Sequence, residues 1–400
     1  MIELKDIVEA AAKLRGVIHD TPLYPSEVFS RENDQHVFIK PENLQVTGAF
    51  KIRGAYNKIA RLGAEDRRKG LIASSAGNHA QGVAYASQLL GAASVIVMPK
   101  PTPLIKVEAT RKYGAQVVLF GDMYDEAYEE ARRLEKENGY LFIHPFDDWD
   151  VMAGQGTIGL EILNDLPDCD IILVPVGGGG LISGIAVAVK AMNPKVKVIG
   201  VEPEGALTLK TSLEKGKVTR LDTVRTIAEG VAVRTAGEMT FEVVKKYVDD
   251  IISVSDYDLQ ESFLLLLEKH KQVAENAGVL SLAALKKLPQ KGMKVVSLVS
   301  GGNIDVLTIS AMINQGLVSR GRIFCFSVEL TDKPGELLKI TTLLSKCGAN
   351  IIQLDHNRFK SLDRLTKVQL EATVETNGWD HLDEITKAMK EGGFEIVRVY

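Results

Sequence analysis

The sequence predicts an α/β protein with two lobes built on parallel sheets, followed by a smaller ferredoxin-like unit. Between about residues 37 and 310, short apolar runs alternate with segments of helical periodicity, and continuous apolar strands separated by helices are typical of parallel sheets. After Gly316 the strands alternate apolar and polar residues and follow the order βαββαβ. We therefore predict a first domain at 1–316, a linker at 317–322 and a second domain at 323–400.

Each domain has its own set of predicted elements. In the first domain, buried strands are predicted at 37–39, 71–74, 94–98, 116–120, 171–176, 196–201, 251–254 and 295–299, and helices at 78–90, 104–113, 123–138, 181–192 and 262–269. In the second domain, strands are predicted at 324–330, 351–354, 368–374 and 394–399, with helices after Gly335 and at 381–390. Ligands of parallel α/β sheets bind beyond the carboxyl ends of the strands, so functional residues are expected in those loops.

Composition and charge exclude several classes of protein. The 400 residues are 45% hydrophobic and 25% charged, with a formal net charge of −4 and no basic run, which gives no support to a nucleic acid or an anionic membrane as partner. Cys169, Cys325 and Cys347 are far apart, so neither a disulfide framework nor a zinc site is expected. No apolar stretch reaches membrane-spanning length and no signal sequence is visible, so a cytoplasmic protein is predicted.

The first motif that indicates chemistry is Thr47-Gly48-Ala49-Phe50-Lys51. Lys51 stands among small and apolar residues, just before a helical segment. A desolvated lysine has a lowered pKa, and only its neutral amine attacks an aldehyde or takes a proton from carbon. Taken alone, the motif is better explained by a surface lysine whose amine lies in water, so its meaning depends on the motifs that follow.

Three further loops come directly after predicted strands. Ser74-Ser75-Ala76-Gly77-Asn78-His79 begins a helix whose first-turn amides form either an anion site or only a well-capped helix start. Gly177-Gly178-Gly179-Gly180-Leu181 has more glycines than a tight turn needs, which favours backbone amides wrapped around a phosphate. Ser300-Gly301-Gly302-Asn303 lines the same crevice, although serine before glycine is also common in ordinary turns.

In this order, the four motifs resemble those of the fold-type II pyridoxal-phosphate enzymes, the tryptophan synthase β family, and within it the threonine dehydratase branch. The segment at 226–233 is also typical of that branch, and the resemblance spans residues 4–316. It implies a two-lobed enzyme, with the smaller lobe at about 48–148, that converts L-threonine to 2-oxobutyrate and ammonia, and L-serine to pyruvate as a secondary activity. An L-serine dehydratase of the same fold is the alternative, because one methyl group separates the substrates.

The resemblance also implies a role for each motif. Lys51 would hold the aldehyde of pyridoxal phosphate as a Schiff base and then act as the base at Cα. Phe50 would pack against the pyridine ring, Asn78 would bind the phenolic oxygen, and Ser300 would face the ring nitrogen. The phosphate would be held by the amides of Gly177, Gly178, Gly179, Gly180 and Leu181, and the substrate carboxylate by the loop that contains Ser75, Gly77, Asn78 and His79.

Two positions depart from the patterns of related branches. Ala76 stands where serine racemases carry the serine that serves as the second base, and a methyl group cannot move a proton, so racemisation is expected to be minor. Glu202 and Ala206 match the cation site of that branch, but Thr208 replaces its carboxylate. A weak monovalent-cation site at Glu202 and Ala206 is therefore the expectation, and a divalent metal is not assigned.

The tail at 323–400 resembles an ACT domain, a regulatory module that binds amino acids. Asp332, Pro334 and Gly335 match its ligand loop, where amides at a helix N-terminus could hold a carboxylate. ACT units usually pair and bind effector between partners, so the resemblance implies a homotetramer of an isoleucine-biosynthesis enzyme, inhibited by isoleucine. A pairing domain that binds nothing is the alternative.

Two other functions compete with this interpretation. A nicotinamide dehydrogenase is favoured by the position of Glu202 after the glycine loop, but the third glycine of the dinucleotide motif should fall at Ile182 or Ser183 and is missing. A non-enzymatic amino-acid sensor would rely on the tail alone. Cysteine or threonine synthase chemistry is less expected, since those branches do not normally carry an ACT tail.

Overall fold

The computed structural model describes residues 1–357 and 366–400, and these residues form two compact units. The first unit comprises Met1–Asp305 and the second Val306–Tyr400. Helix Val306–Ser319 belongs to the second unit, so the division lies ahead of the linker predicted at 317–322. Among the described residues, no helix combines the length and the apolar character that crossing a membrane requires.

Six strands form the larger sheet of the first unit. Neighbouring strands are parallel, except that the short strand at one edge pairs antiparallel with the next. In spatial order the strands are Tyr24–Pro25, His36–Pro41, Lys294–Val299, Ile171–Pro175, Lys197–Pro203 and Asp250–Val254. Strand Ile171–Pro175 is buried along its whole length, as expected for a central parallel strand, and this is why a continuous apolar run predicted it.

The smaller sheet lies within the lobe predicted at about 48–148 and consists of four parallel strands. In spatial order they are Gln116–Leu119, Ser94–Met98, Leu71–Ser74 and Leu141–Phe142. Every strand predicted for the first domain coincides with an observed strand of the two sheets. The two-residue strands Tyr24–Pro25 and Leu141–Phe142 were not predicted, because two residues carry no periodicity.

The helices of the first unit confirm most of the predicted ones and add several. They are Leu4–Leu14, Glu27–Asn33, Lys51–Arg61, Ala64–Arg68, Asn78–Leu89, Leu104–Arg111, Tyr124–Asn138, Trp149–Asp165, Gly180–Met192, Thr208–Lys215, Glu238–Tyr247, Asp256–Leu265 and Leu280–Ala283. The helix predicted at 262–269 is the end of Asp256–Leu265 followed by a π-helical turn at Leu266–His270. Lys271, directly after this turn, has a left-handed backbone with φ of 56°.

Glycines allow the helix that begins at Lys51 to cross helix Trp149–Asp165 at close range. A Cβ atom on Gly154 would lie 2.4 Å from the carbonyl oxygen of Arg53, and a Cβ on Gly54 would lie 2.4 Å from the Gln155 side chain. Helix Trp149–Asp165 in turn approaches helix Gly180–Met192, where a Cβ on Gly184 would lie 2.1 Å from the Met152 carbonyl oxygen. Side chains at these crossings would force the helices apart.

A buried charge cluster fixes the same crossing. The guanidinium of Arg53 donates to Glu42 at 2.7 and 2.8 Å and also to Glu161, and Lys40 donates to Glu161 at 2.6 Å. Arg53 and Glu42 have 0% exposed side chains and Lys40 has 1%. Two buried cations and the buried Glu42 are therefore paired, with the partly exposed Glu161 as the second carboxylate, which removes the cost of an unpaired buried charge.

The second unit has the βαββαβ order that the sequence predicts. Its strands Asn350–Asn357, Lys367–Glu375, Ile323–Thr331 and Ile396–Arg398 form one antiparallel sheet in that spatial order, which is the ferredoxin-like topology. Helices Glu336–Lys346 and Trp379–Glu391 pack on one face of the sheet, where Phe326, Ile340 and Ile385 share a core. Residues 358–365 of the predicted second domain lie outside the described residues.

Candidate active site

Lys51 is the first residue of helix Lys51–Arg61, and its amine lies inside the first unit. The Nζ atom donates to the carbonyl oxygen of Pro145 at 2.7 Å and lies 5.2 Å from the centre of the Phe50 ring. Part of the side chain is accessible, but the protein surrounds the amine, and this burial lowers the pKa of Lys51 to about 8, against the opposing charge of Glu275. About a tenth of the amine is therefore neutral at pH 7, far more than for a lysine with its ordinary pKa of 10.5, and the neutral form is the one that a nucleophilic lysine requires.

The structure brings the Lys51 loop and the Ser300 loop together. The backbone N–H of Phe50 donates to the Ser300 carbonyl oxygen at 3.1 Å, and that of Gly302 donates to the Gly48 carbonyl oxygen at 2.8 Å. Gly48 has a φ of +72°, and a Cβ there would lie 2.5 Å from Oδ1 of Asn303, so only glycine fits. Ser300 is buried, and two segments about 250 residues apart in sequence thus form one wall.

The glycine loop presents unused amides at the start of helix Gly180–Met192. Among the hydrogen bonds of the described residues, none has a backbone N–H of Gly177, Gly178, Gly179, Gly180 or Leu181 as its donor. Gly179 has a φ of +95°, which L-residues with side chains rarely adopt. Consecutive free amides at a helix N-terminus form a cradle for an anion such as a phosphate.

A segment that the sequence analysis did not single out, His144–Asp147, holds these parts in place. Pro145 receives the Lys51 amine, and the Phe146 ring packs so closely on the glycine loop that a Cβ on Gly178 would lie 2.5 Å from it. The carboxylate of Asp147 accepts the N–H groups of Met239 and Thr240 at 3.0 and 3.1 Å. No motif marked this segment, because its residues act through contacts with distant loops.

Asn78 stands at the start of helix Asn78–Leu89, and its amide has two side-chain partners. Its Nδ2 donates to Glu275 at 2.6 Å, and its Oδ1 accepts from Nδ2 of Asn303 at 2.7 Å. Burial raises the pKa of Glu275 to about 7, although the hydrogen bond from Asn78 acts in the opposite direction. Glu275 lies in no motif of the sequence, and Asn303 belongs to the predicted loop at 300–303.

The loop predicted to hold a carboxylate is only partly free to do so. The backbone N–H of Ser75 donates to the Val97 carbonyl oxygen at 3.2 Å, and the N–H of Gly77 donates to the Ser75 hydroxyl at 3.2 Å. These two amides are therefore engaged, which corrects the expectation that the whole run 75–79 offers its amides. The amides of Asn78 and His79 remain at the helix start, where an anion is stabilised.

His79 is buried and neutral. Its Nε2 lies 2.8 Å from the Ile143 carbonyl oxygen, so that nitrogen carries the proton, and its Nδ1 has no partner. Burial, together with the nearby Lys51 charge, lowers the pKa of His79 to about 3. The side chain thus supports the cleft wall as an uncharged group.

Glu202, the residue proposed for a cation or for a dinucleotide ribose, serves another helix. Its two carboxylate oxygens accept the backbone N–H groups of Leu209 and Lys210 at 2.8 and 3.0 Å, at the start of helix Thr208–Lys215. The carboxylate is buried, and burial raises the pKa of Glu202 to about 7. Ala206 is buried beside this helix start, and the described residues contain no cluster of three metal-binding side chains.

The comparison with known families identifies the cofactor of this enzyme. The sequence matches the family described as "Pyridoxal-phosphate dependent enzyme" over residues 14–301. The chain belongs to this family. The enzyme is a pyridoxal-phosphate-dependent lyase, as its close relatives are, and a nicotinamide dehydrogenase is thereby ruled out.

The proteins that this chain resembles include an L-threonine ammonia-lyase, a threonine deaminase and a serine racemase. L-threonine ammonia-lyase of Thermotoga maritima is 48% identical over 397 residues, 99% of either chain. The processed form of threonine deaminase isoform 2 from Solanum lycopersicum is 37% identical, with a TM-score of 0.75 over 78% of this chain and 88% of that chain. Maize serine racemase is 35% identical, with a TM-score of 0.75 over 80% of this chain and 99% of that one.

The residues of this pyridoxal-phosphate enzyme fit the cofactor. The free amides at 177–181 suit a dianionic phosphate, and the Lys51 amine with a lowered pKa suits an aldehyde. The Asn78 side chain has two N–H groups. One is bound to Glu275, and the second is available to an acceptor atom of the cofactor. The arrangement can hold an amino acid substrate against a cofactor that withdraws electrons from Cα, and it can move the α-proton to Lys51.

Proposed function

We propose that the protein is a threonine ammonia-lyase, which converts L-threonine to 2-oxobutyrate and ammonia. The observation that carries the proposal is the partly neutral Lys51 amine in the cleft of a family member that is 48% identical to an L-threonine ammonia-lyase. L-serine, which lacks one methyl group, would give pyruvate in a secondary activity.

The chain's own residues would divide the work as follows. The amides of Gly177, Gly178, Gly179, Gly180 and Leu181 hold the phosphate of pyridoxal phosphate, Phe50 contacts its ring, and Ser300 and Asn78 bind its ring nitrogen and phenolic oxygen. When bound, the cofactor supplies an electron sink for the bond that breaks at Cα. Lys51 would hold the cofactor covalently until the amino group of the substrate displaces it, and its freed amine would then remove the α-proton, while the amides of Asn78 and His79 would orient the substrate carboxylate.

Lys51→Ala tests this proposal directly. The purified wild type is expected to be yellow and to form 2-oxobutyrate, whereas the variant should lose both the visible absorbance band and ketoacid formation. Lys136→Ala, at an exposed helical lysine, is the matched control and should change neither. A colourless wild type that takes up no added pyridoxal phosphate would refute the proposal.

Initial rates on the two hydroxy amino acids decide the substrate. In a hydrophobic pocket, one methyl group changes kcat/KM by about 10- to 200-fold. The kcat/KM for L-threonine should therefore exceed that for L-serine by a factor in this range. The reverse order would identify an L-serine dehydratase. Ala76 lines the partly accessible carboxylate loop and cannot transfer a proton, so formation of D-serine should be minor.

We also propose that the second unit is an ACT domain that binds an amino acid such as isoleucine. Its support is the ferredoxin-like topology and the exposed loop before helix Glu336–Lys346, where Gly335 has a φ of +96°. Asp332, Pro334 and Gly335 lie in this loop, and the start of the helix that follows would stabilise a bound carboxylate. Isoleucine should lower the initial rate of the wild type, and Gly335→Val should abolish that inhibition without changing the rate in its absence.

Assembly, location and cation binding are further parts of the proposal. A homotetramer in the cytoplasm is expected from the resemblance to regulated dehydratases, and light scattering at working concentration measures the assembly. A weak monovalent cation near Glu202 and Ala206 would have to share Glu202 with the amides of Leu209 and Lys210. Rates in potassium and in tetramethylammonium buffers test that site.

A further inference from the structure

The amide of Asn78 is held from two sides by residues far away in sequence. One partner is Glu275, which accepts from Nδ2 at 2.6 Å, and the other is Asn303, which donates to Oδ1 at 2.7 Å. Asn303 also donates to the Thr47 carbonyl oxygen at 2.8 Å, so both of its N–H groups are used. The Asn78 amide therefore has one orientation, with a single N–H left for a ligand.

Glu275 is itself fixed by its surroundings. Its backbone N–H donates to the Gly301 carbonyl oxygen at 3.0 Å, and its carbonyl oxygen accepts from Gly278 at 2.8 Å. A Cβ atom on Gly301 would lie 2.6 Å from Oε1 of Glu275, so the carboxylate lies directly against the Ser300 loop. The Asn43 side chain donates to the Val273 carbonyl oxygen at 3.0 Å and holds the preceding residues.

The charged groups around this carboxylate are of both signs. The positive charges of Lys106 and Lys51 lower the pKa of Glu275, while the negative charge of Glu229 raises it. Lys106 and Glu229 also pair with each other at 3.0 Å. The net result, with burial as the main cause, is a pKa of about 7 for Glu275, so its charge changes close to neutral pH.

We propose that Glu275 is a positioning residue of the active site, whose carboxylate holds Asn78 as a hydrogen-bond donor to the phenolic oxygen of pyridoxal phosphate. This inference rests on the proposed contact between Asn78 and the cofactor. Glu275 acts through the Asn78 amide and need not touch the substrate. Its oxygen acceptor thereby supports cofactor binding, and its charge state affects how the cofactor absorbance depends on pH.

The test compares Glu275→Gln and Glu275→Leu by titrating the apoprotein with pyridoxal phosphate and recording the visible band against pH. In the wild type, the band should change with pH as Glu275, whose pKa is raised by burial, gains its proton. Glutamine keeps an acceptor for Asn78 but no charge, so the affinity should change by less than about threefold while this pH dependence disappears. Leucine leaves the Asn78 donor unsatisfied, so the affinity should fall by about tenfold or more.

Two further variants separate positioning from a structural role. Glu229→Gln removes a charge that raises the pKa of Glu275, so the midpoint should move to lower pH. In an Asn78→Ala background, Glu275→Gln should have no further effect on the band, because the residue through which it acts is missing. Two results would overturn the inference. The first is a Glu275→Gln protein whose band keeps the wild-type midpoint. The second is a Glu275→Gln substitution that changes the band as much in the Asn78→Ala background as it does in the wild type.

These spectroscopic readouts keep this inference distinct from the proposed function. A wild type that forms no cofactor band would refute the cofactor assignment itself. A wild type that forms the band but turns over no threonine would leave the Glu275 measurement intact. Equal losses of Tm in the apoprotein and the cofactor-loaded form of Glu275→Gln, with no spectral change, would reduce Glu275 to a structural residue.

Discussion

Lys51 and His79 have lowered pKa values for the same reason, because the protein surrounds their nitrogen atoms in the first unit. Burial lowers the pKa of Lys51 to about 8 and that of His79 to about 3. The neutral form of the amine is the nucleophile, and a neutral imidazole does not compete with it for an anion. Burial thus disfavours the cationic form of both residues, and the charge of Glu275 opposes this effect at Lys51.

His79→Gln should make the apoprotein less sensitive to acid. The unfolded chain binds a proton at His79 below its ordinary pKa of 6.5, whereas the folded protein does not until about pH 3. Neutral His79 therefore contributes fully to the free energy of unfolding above pH 6.5. This contribution is lost as the pH falls below that value, at up to about 1.4 kcal/mol per pH unit. Glutamine keeps the donor to Ile143 but does not titrate. Urea unfolding of the wild type and of His79→Gln at pH 7, 6 and 5 measures the free energy of unfolding. An equal decrease with pH in the two proteins would contradict the prediction.

Individual site residues differed in how well the sequence predicted them. Lys51, Asn78 and the glycine loop belong to motifs whose local composition is unusual, and the structure places Asn78 in contact with Glu275, whose charge also acts on Lys51. Glu275 itself was missed, because its contact with Asn78 spans 197 positions and no local pattern marks it. The engaged amides of Ser75 and Gly77 were also not visible from residue types alone.

Among the elements, helix Lys51–Arg61 has two different neighbours. Ile52, Ala55 and Ile59 pack into the core of the smaller lobe, while the opposite side contacts helix Trp149–Asp165. On that side the Asn57 side chain donates to the Asp150 carbonyl oxygen at 2.7 Å. The helix that begins with the reactive lysine is thus shared by both lobes.

Gly154→Ala should destabilise the protein and weaken cofactor binding. The added Cβ would lie 2.4 Å from the Arg53 carbonyl oxygen, a backbone atom that cannot move without shifting the helix. Overpacking of this kind costs about 1–3 kcal/mol or more, measured by chemical unfolding. Gly63→Ala is the control, since its nearest neighbour atom is 4.0 Å away, and it should change stability by less than about 0.5 kcal/mol. Equal effects of the two variants would contradict the prediction.

Arg53→Leu should lower the free energy of unfolding by about 3–5 kcal/mol, because it leaves the buried Glu42 carboxylate without its partner. Arg111→Leu is the control. Arg111 pairs with Glu108 at 2.8 Å, and their side chains are 47% and 58% exposed. Such surface pairs contribute about 0–1 kcal/mol. Thermal and urea unfolding compare the two variants, and a loss at Arg53 no larger than that at Arg111 would show that the buried cluster is not stabilising.

The strands were predicted better than the helices, for a physical reason. A buried parallel strand is apolar at every position, and glycine or polar loops mark its ends. Helix Trp149–Asp165 is buried on most sides and carries glycines where other helices approach, so it shows no amphipathic period. Helix Val306–Ser319 was not predicted either, and the division between the units lies before it.

At the scale of the whole molecule, few strong contacts join the rims of the two lobes. The ion pairs Lys106–Glu229 at 3.0 Å and Arg220–Asp125 at 2.8 Å cross between them. Glu229 is 80% exposed and the other pair is about half exposed, so each contributes at most about 1 kcal/mol. Inside the molecule, the lobes are joined by the buried crossing of helices Lys51–Arg61 and Trp149–Asp165 and by the hydrogen bonds of Asn78 to Glu275 and Asn303.

A chain that ends at Asp305 should fold and keep the cofactor. The first unit contains both sheets, Lys51, the glycine loop and Glu275, and the second unit has a separate core. The visible absorbance band should therefore persist, with an affinity for pyridoxal phosphate within about threefold of the full chain, while any response to isoleucine disappears. Insoluble or colourless truncated protein would show that the first unit depends on the second.

The shared helix has a mechanical consequence. If the cleft widens to admit an amino acid, we expect the smaller lobe to rotate about its buried contacts with the larger lobe, which include the helix that Lys51 begins. Atoms close to an axis travel little, so the reactive nitrogen should keep its position relative to the larger lobe, while helix Leu104–Arg111 at the rim should move farther. Ligand-dependent amide exchange is accordingly expected at that rim helix and not along Lys51–Arg61.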